Sequence, residues 1–160
     1  MATVFETDIY PLFFKKIVKD RTFFEYVNVT EVEAIEIAVD RSEGLLKESI
    51  SKLTLQCTPD VDFFDYDATQ FNFDFTPIEI DLITSIMKEK LFEKDELKLK
   101  VQVARFSTKD VTSFSPANER KTYSDLCKNI AYRNDVLIDK YASRDRITNK
   151  RKIIKYATEV

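Results

Sequence analysis

The chain has 160 residues, of which 44% are hydrophobic and 33% are charged, and its formal net charge is −3. These values predict a soluble globular protein with a single core. The chain has no histidine, which removes the commonest general base, and its one glycine, Gly44, excludes a glycine-rich phosphate loop. We therefore expect no enzyme activity, no metal and no cofactor. No apolar run approaches the ~20 residues of a membrane helix, so we also expect no membrane contact.

The N-terminal region predicts a first helix from Ile9 to Lys19. Asp8 or Thr7 can cap this helix, and Pro11 falls in its first turn, where a missing N–H does no harm. Residues 23–29 are rich in aromatic and β-branched side chains, which predicts a short strand or an extended connector.

A capping box marks the start of the second helix. In this motif, Thr30 and Glu33 each accept the other's free backbone N–H through the side chain. Apolar residues then recur at spacings of three and four, which predicts one buried helix face that runs to about Leu53. The residues of this face are Ile35, Ala38, Val39, Leu45, Leu46, Ile50 and Leu53.

Residues 56–75 combine aspartates with aromatic side chains. A calcium loop is one interpretation, but no turn glycine and no terminal glutamate complete its twelve-residue pattern. We expect instead that the aromatic rings dock this loop onto the helices while the aspartates stay in water. The rings belong to Phe63, Phe64, Tyr66, Phe71, Phe73 and Phe75.

The third helix has the most complete start signal in the chain. Thr76 is the predicted N-cap, Pro77 the first helical residue and Glu79 the capping-box partner of Thr76. The apolar face of this helix is predicted to end near Phe92 or Lys94.

The stretch LKLKVQV, residues 97–103, alternates apolar and polar side chains. A period of two predicts a half-buried strand or an extended segment, which needs a partner within the chain or in a neighbouring subunit. The alternative is that the third helix continues through these residues.

The stretch FSTKDVTSFSPAN, residues 106–118, predicts a corner built from two helix starts. Ser107 with Asp110 is typical of the cap of a short helical turn, and Ser115 with Pro116 is typical of the start of the last helix. The apolar stripe of the last helix consists of Tyr123, Leu126, Cys127, Ile130, Leu137, Ile138 and Tyr141, with Asn134 interrupting it.

Charge is distributed unevenly along the chain. Residues 140–160 hold seven basic and two acidic side chains, so this segment sums to +5 and the remainder to −8. We expect a helical domain over residues 1–145 and a basic C-terminal tail over 146–160, which can bind nucleic acid or an acidic protein surface. A solvated helix end or a flexible tail is the alternative. The candidate docking residues are Arg146, Lys150, Arg151, Lys152, Ile153, Ile154, Lys155 and Tyr156.

Together these elements predict a mainly α fold, a bundle of about four helices with extended segments or a short β element at 97–103 and an extended C-terminal tail. The arrangement resembles the small head-to-tail connector proteins of tailed bacteriophages over roughly residues 8–145. These relatives carry a Leu-Thr-x-x-Glu opening before an apolar helix and a Lys-Asp-(Phe)-x-x-(Tyr/Phe)-Ser-x-Ala-Asn corner before the last helix. The matching residues are Thr76, Glu79, Lys109, Asp110, Phe114, Ser115, Ala117 and Asn118. Val111 departs from the pattern, because relatives often have an aromatic residue there.

The resemblance implies a non-enzymatic adaptor that forms a homo-oligomeric ring, often of twelve copies, beneath the portal. Such a ring joins the portal to the tail or to the next neck ring, and DNA passes through its channel without sequence-specific binding. The implied location is the neck of the virion, after assembly in the host cytoplasm. A small DNA-binding regulator of the helix-turn-helix type is the rival interpretation, based on the basic tail and the corner. An enzyme that uses only Asp and Glu is a third.

Overall fold

The computed structural model describes residues 2–17, 28–106 and 116–152, without the side chains of 102–106 and 116–120. Within these residues the fold is mainly α, and backbone pairing outside the helices is limited to isolated bridges rather than a sheet. The helices are α1 (Tyr10–Ile17), α2 (Glu31–Gln56), α3 (Pro77–Phe106) and α4 (Pro116–Ala142). The predicted mainly α fold of about four helices is confirmed.

Helix α3 lies at the centre of the molecule, and α1, α2 and α4 all pack against it. α3 and α4 run antiparallel, as contacts at both ends of the pair show. The Cys127 thiol lies 3.8 Å from the carbonyl oxygen of Phe92, and the Tyr141 hydroxyl lies 2.7 Å from Oε1 of Glu79. The C-terminal end of α4 therefore lies beside the N-terminal end of α3.

The core surrounds the first half of α3 and is closed by α1, by the second half of α2 and by the aromatic loop between α2 and α3. Its side chains are nearly all aliphatic or aromatic, so their burial supplies the main drive for folding. The most completely buried are Ile9, Phe13, Leu46, Ile50, Leu53, Phe63, Phe71, Ile83, Ile86, Met87 and Ile138.

The loop at residues 57–76 docks through its rings. Phe71 lies at the centre of this contact, with its ring centroid 4.4 Å from that of Phe75 and 5.0 Å from that of Phe5. The predicted docking is confirmed for Phe63, Phe71 and Phe75, which are buried. It is wrong for Phe64, whose side chain is exposed, since the turn at this point directs only one of the two adjacent rings inward.

The first helix begins one turn earlier than predicted. A π-helical turn, Phe5–Ile9, leads directly into α1. Asp8 accepts a hydrogen bond from the Val4 N–H at 2.8 Å, so it lies inside the helical run, and Thr7 does too. The physical reason is Pro11, which lacks an N–H and would clash with the carbonyl four residues earlier in a regular α-helix. The π turn before Pro11 widens the helix where the proline ring would clash, although it cannot replace the missing N–H.

Both predicted capping boxes are confirmed. The Thr30 N–H donates to Glu33 at 2.8 Å and the Thr76 N–H to Glu79 at 2.7 Å, while each threonine hydroxyl accepts the reciprocal backbone N–H at 3.3 Å. Pro77 is the first residue of α3, as predicted. The stripe predicted for α2 is wrong at Ile35, whose side chain is exposed because no described residue covers this part of the helix.

The extended or β element predicted at 97–103 is wrong, because α3 continues through these residues to Phe106. Helical spacing supplies the physical reason. Lys100 pairs with Glu96 at 2.7 Å and Lys98 with Asp95 at 3.5 Å, at the spacings of four and three residues that bring side chains together on a helix surface. The third helix is therefore about three turns longer than its predicted end near Lys94.

Several predictions fall outside the described residues. They include the connector at 23–27, the corner at 107–115 with the caps Ser107, Asp110 and Ser115, and the tail from Ile153 to Val160. Pro116, the predicted first residue of the last helix, is the first residue of α4.

Candidate functional site

A buried carboxylate joins the start of α3 to the end of α4. Glu79 has no exposed surface, and it accepts hydrogen bonds from the Thr76 N–H, the Tyr141 hydroxyl and two nitrogens of Arg146. The Arg146 Nε lies 2.6 Å from Oε1 of Glu79, and its guanidinium also donates to the carbonyl of Asp74 and lies over the ring of Phe73. We call these residues the Glu79 cluster. Every buried side-chain N or O atom among the described residues has a hydrogen-bond partner, and the cluster closes this end of the bundle.

The pKa of Arg146 in the Glu79 cluster is shifted in the direction that keeps its guanidinium charged. Burial opposes the charge of Arg146, but the hydrogen bonds to Glu79 and its negative charge outweigh burial and raise the arginine pKa. Burial, followed by the hydrogen bond to Glu79, raises the pKa of Tyr141 well above its usual range. The tyrosine therefore stays a neutral donor to a charged carboxylate.

A second buried cluster joins α2, α3 and α4. Lys52 lies 2.6 Å from Oε1 of Glu89 and 2.8 Å from Oδ1 of Asp135. Asn134 donates to the other oxygen of Glu89 at 2.7 Å and to the Ser85 carbonyl at 3.0 Å. We call these residues the Lys52 cluster. Asn134, which interrupts the predicted stripe of α4, is thus the partner that a buried glutamate on α3 requires.

The single ammonium of the Lys52 cluster is shared by two carboxyl groups, Glu89 and Asp135. Burial alone would lower the pKa of Lys52, but the hydrogen bonds to Asp135 and Glu89 outweigh it and raise that pKa. The Lys52 hydrogen bond in turn holds the pKa of Asp135 below its ordinary value. Two carboxyl groups thus share one ammonium, and Glu89 is buried. This arrangement is a structural tie between three helices, because both carboxylates are occupied by Lys52.

The basic segment after α4 does not leave the body at residue 146. The chain turns back after Ala142, with the Lys152 N–H donating to the Ser143 carbonyl at 2.9 Å. Arg146 points inward to Glu79, and Lys152 pairs with Asp60 at 2.7 Å. Lys150 and Arg151 are exposed, while Ile153, Ile154, Lys155 and Tyr156 lie outside the described residues.

A cleft of about 190 Å³ opens between the start of α3 and the end of α4. Ile78 and Leu137 contribute exposed apolar side chains to it, and Lys140 and Arg144 contribute positive charge. We call it the basic cleft. Small-molecule sites usually measure roughly 300–1,000 Å³, so this volume suits a side chain of a protein partner better than a cofactor.

Exposed apolar side chains also lie at helical spacing on α2 and α3. Val32 and Ile35 are 66% and 58% exposed in the first half of α2, and Leu97 and Val101 are 61% and 50% exposed in the second half of α3. Pairs of large apolar residues one turn apart are typical of contact surfaces. The sequence pattern predicted Ile35 in the core and placed Leu97 and Val101 on a strand or an extended segment, with a continued helix as the alternative, so these faces were not predicted.

Among the residues that the structure describes, no group of three or more His, Cys, Asp or Glu side chains could hold a metal ion. None of the described helical segments is apolar over a stretch long enough to cross a membrane. Comparison with family models, curated proteins and solved structures finds no match to the chain.

Proposed function

We propose that this chain is a structural virion protein that forms a homo-oligomeric ring between the phage portal and the tail or the next neck ring. The observation that carries this proposal is a pair of apolar faces that no described residue covers, Val32 with Ile35 on α2 and Leu97 with Val101 on α3. Exposing such faces to water is unfavourable, and burial against other chains recovers that free energy. An assembly protein has this requirement, whereas a monomeric enzyme does not.

The resemblance to head-to-tail connectors supports the same proposal. Two of its matching residues, Thr76 and Glu79, form the capping box that starts α3, and Glu79 also binds Arg146. The resemblance therefore rests partly on residues that set the geometry between α3 and α4. On this proposal the ring has twelve copies, and DNA passes through it without sequence-specific contacts.

The rival proposal of a helix-turn-helix regulator fits the geometry less well. Helices of that motif cross at roughly 90–120°, whereas α3 and α4 lie antiparallel with contacts from Glu79–Tyr141 to Phe92–Cys127. Two of the basic residues after α4, Arg146 and Lys152, are also bound to acidic side chains of the same chain.

Within the proposed ring, Lys150 and Arg151 are the described residues that dock on the portal or on another neck protein. Both are exposed, and neither has an ion-pair partner among the described residues. Charge reversal at both positions tests this role better than deletion of 146–160, because deletion also removes Arg146 and Lys152 from the body.

The experiment compares two double variants for binding to portal rings purified from virions. The test variant is Lys150→Glu with Arg151→Glu, and the matched control is Lys121→Glu with Arg133→Glu, two exposed residues on α4. We expect the test variant to bind the portal more weakly than the control at equal salt. Equal binding of the two variants would show that Lys150 and Arg151 do not contribute to the portal contact.

A further inference from the structure

The buried face of α2 continues past the core. Val32 and Ile35 each lie eighteen residues before Ile50 and Leu53, which is five turns of about 3.6 residues, so each pair faces the same direction. Ile50 and Leu53 are buried, whereas Val32 and Ile35 are exposed. The first half of α2 therefore presents a core-type face with no cover among the described residues.

Negative charge surrounds this face. Glu31, Glu36 and Asp40 lie on the same half of the helix as Val32 and Ile35, and all three are exposed. None of these carboxylates has an ion-pair partner among the described residues. We call these five residues the acidic stripe. A surface that covers the stripe should itself be apolar and positively charged.

The basic cleft has that chemistry. Ile78 and Leu137 form its apolar part, and neither Lys140 nor Arg144 has an ion-pair partner within the described part of the chain. Among the described residues, one of the two acidic groups of the cleft is in an ion pair and the other is not, so Lys140 and Arg144 leave the cleft an excess of one positive charge. Asp81 pairs with Lys16 at 2.7 Å, and Asp145 accepts the Thr148 N–H at 2.7 Å.

The acidic stripe and the basic cleft lie at opposite ends of the molecule. The end of α2 lies beside α4, where the Gln56 amide donates to Asp135 at 3.1 Å, two residues before Leu137. Val32 lies 24 residues before Gln56, which at about 1.5 Å per residue is roughly 36 Å along the helix. The stripe of one chain therefore cannot reach the cleft of the same chain.

The face at Leu97 and Val101 is a weaker match for the stripe. Its nearby lysines are already neutralised within α3, since Lys100 pairs with Glu96 and Lys98 with Asp95. The basic cleft offers both an apolar floor and unneutralised positive charge, so it has the better complementarity.

We propose that the acidic stripe of one copy docks in the basic cleft of a second copy. The contact joins two different surfaces, so repetition adds one copy at a time and closes into a ring when the rotation between copies permits. This inference rests on the proposed ring, and it identifies the surfaces that build it.

Cysteine cross-linking tests the contact directly. The chain that carries both Ile35→Cys and Leu137→Cys, treated with a short bismaleimide, should give a ladder of dimers and higher oligomers. Each single variant should give only the background of the wild type, whose Cys57 and Cys127 are buried. The matched control carries Ile35→Cys with Leu97→Cys, because Leu97 is 61% exposed, close to the 58% of Ile35, but lies outside the basic cleft.

Charge reversal supplies a second test that does not depend on the cross-linker. Glu36→Lys or Lys140→Glu, added to the cross-linking pair, should each reduce the ladder at least several-fold, and the two together should restore it. Restoration distinguishes pairing of these surfaces from damage to the fold, because a misfolded chain would not regain the contact.

Four results would overturn the inference. They are no ladder above the single variants up to the solubility limit, a dimer from Ile35→Cys alone, an equal ladder from the Leu97→Cys control, and protection of Ile35→Cys from maleimide in the dilute monomer. The last would mean that another part of the same chain covers the stripe. If the chain forms a ring on the portal but gives no cross-linked ladder, the docking of the stripe in the cleft is wrong and the connector proposal stands. If the chain gives the ladder but does not bind the portal, the connector proposal is wrong and the docking stands.

Discussion

Removal of the Glu79 charge tests whether the Glu79 cluster holds the end of the bundle together. Glu79→Gln keeps the size of the side chain but leaves a single acceptor oxygen for the donors from Thr76, Tyr141 and Arg146. It also leaves the Arg146 guanidinium, 14% exposed, without its counter-charge. Breaking a buried pair by removing one partner typically costs about 3–5 kcal/mol. For a chain of this size each kcal/mol lowers Tm by about 2–4 °C, so we expect a loss of roughly 6–20 °C.

The chain supplies its own matched control. Glu33 occupies the same capping-box position on α2, with nearly the same distance to its threonine N–H, but it is exposed and has no arginine partner among the described residues. Urea unfolding followed by circular dichroism should show a much smaller loss of stability for Glu33→Gln than for Glu79→Gln. Adding Arg146→Met to Glu79→Gln should recover part of the loss, because no uncompensated buried charge then remains. Equal losses for the two glutamate variants would refute the reasoning.

Three further predictions follow from the described contacts. Gly44→Ala should raise the free energy of unfolding by about 0.5–1 kcal/mol in urea, because Gly44 lies inside α2 and an added Cβ meets no atom within 4 Å; a loss of stability would contradict the account. Leu99→Pro should lower the free energy of unfolding by about 3 kcal/mol or more, because Leu99 lies inside α3. Leu99→Ala should lower it little, because the Leu99 side chain is exposed. Similar stabilities of the two variants would favour an extended segment. Stability should fall as pH rises above about 10, where tyrosine ionises in the unfolded chain while the raised pKa of Tyr141 keeps it protonated in the folded one. Burial also raises the pKa of Tyr10, so Tyr141→Phe should reduce the slope of that part of the pH profile without abolishing it, and an unchanged slope would show that other groups cause it.

The parts of the fold that the sequence predicts correctly depend on neighbouring residues. Each capping box needs only four residues, and Thr30 with Glu33 and Thr76 with Glu79 form as expected. The alternation at 97–103 misleads because seven residues cannot separate a strand from a helix whose apolar residues are exposed. The ion pair of Lys100 with Glu96 is the signal that favours the helix.

The buried clusters were harder to predict because their partners are far apart in the chain. Glu79 and Arg146 are separated by 67 residues, and Glu89 and Asn134 by 45. Their local signal is weak, since Asn134 only interrupts a stripe and Arg146 looks like the first residue of a basic tail. A polar residue inside an otherwise apolar helix face is the feature that points to such a partner.

The most direct test of the connector proposal is the native mass of the purified chain, measured alone, with portal rings from virions and with duplex DNA. We expect a stable complex in which a ring of copies binds the portal, and no salt-sensitive complex with DNA. Tight, salt-sensitive binding to DNA without any complex on the portal would contradict it and favour the regulator.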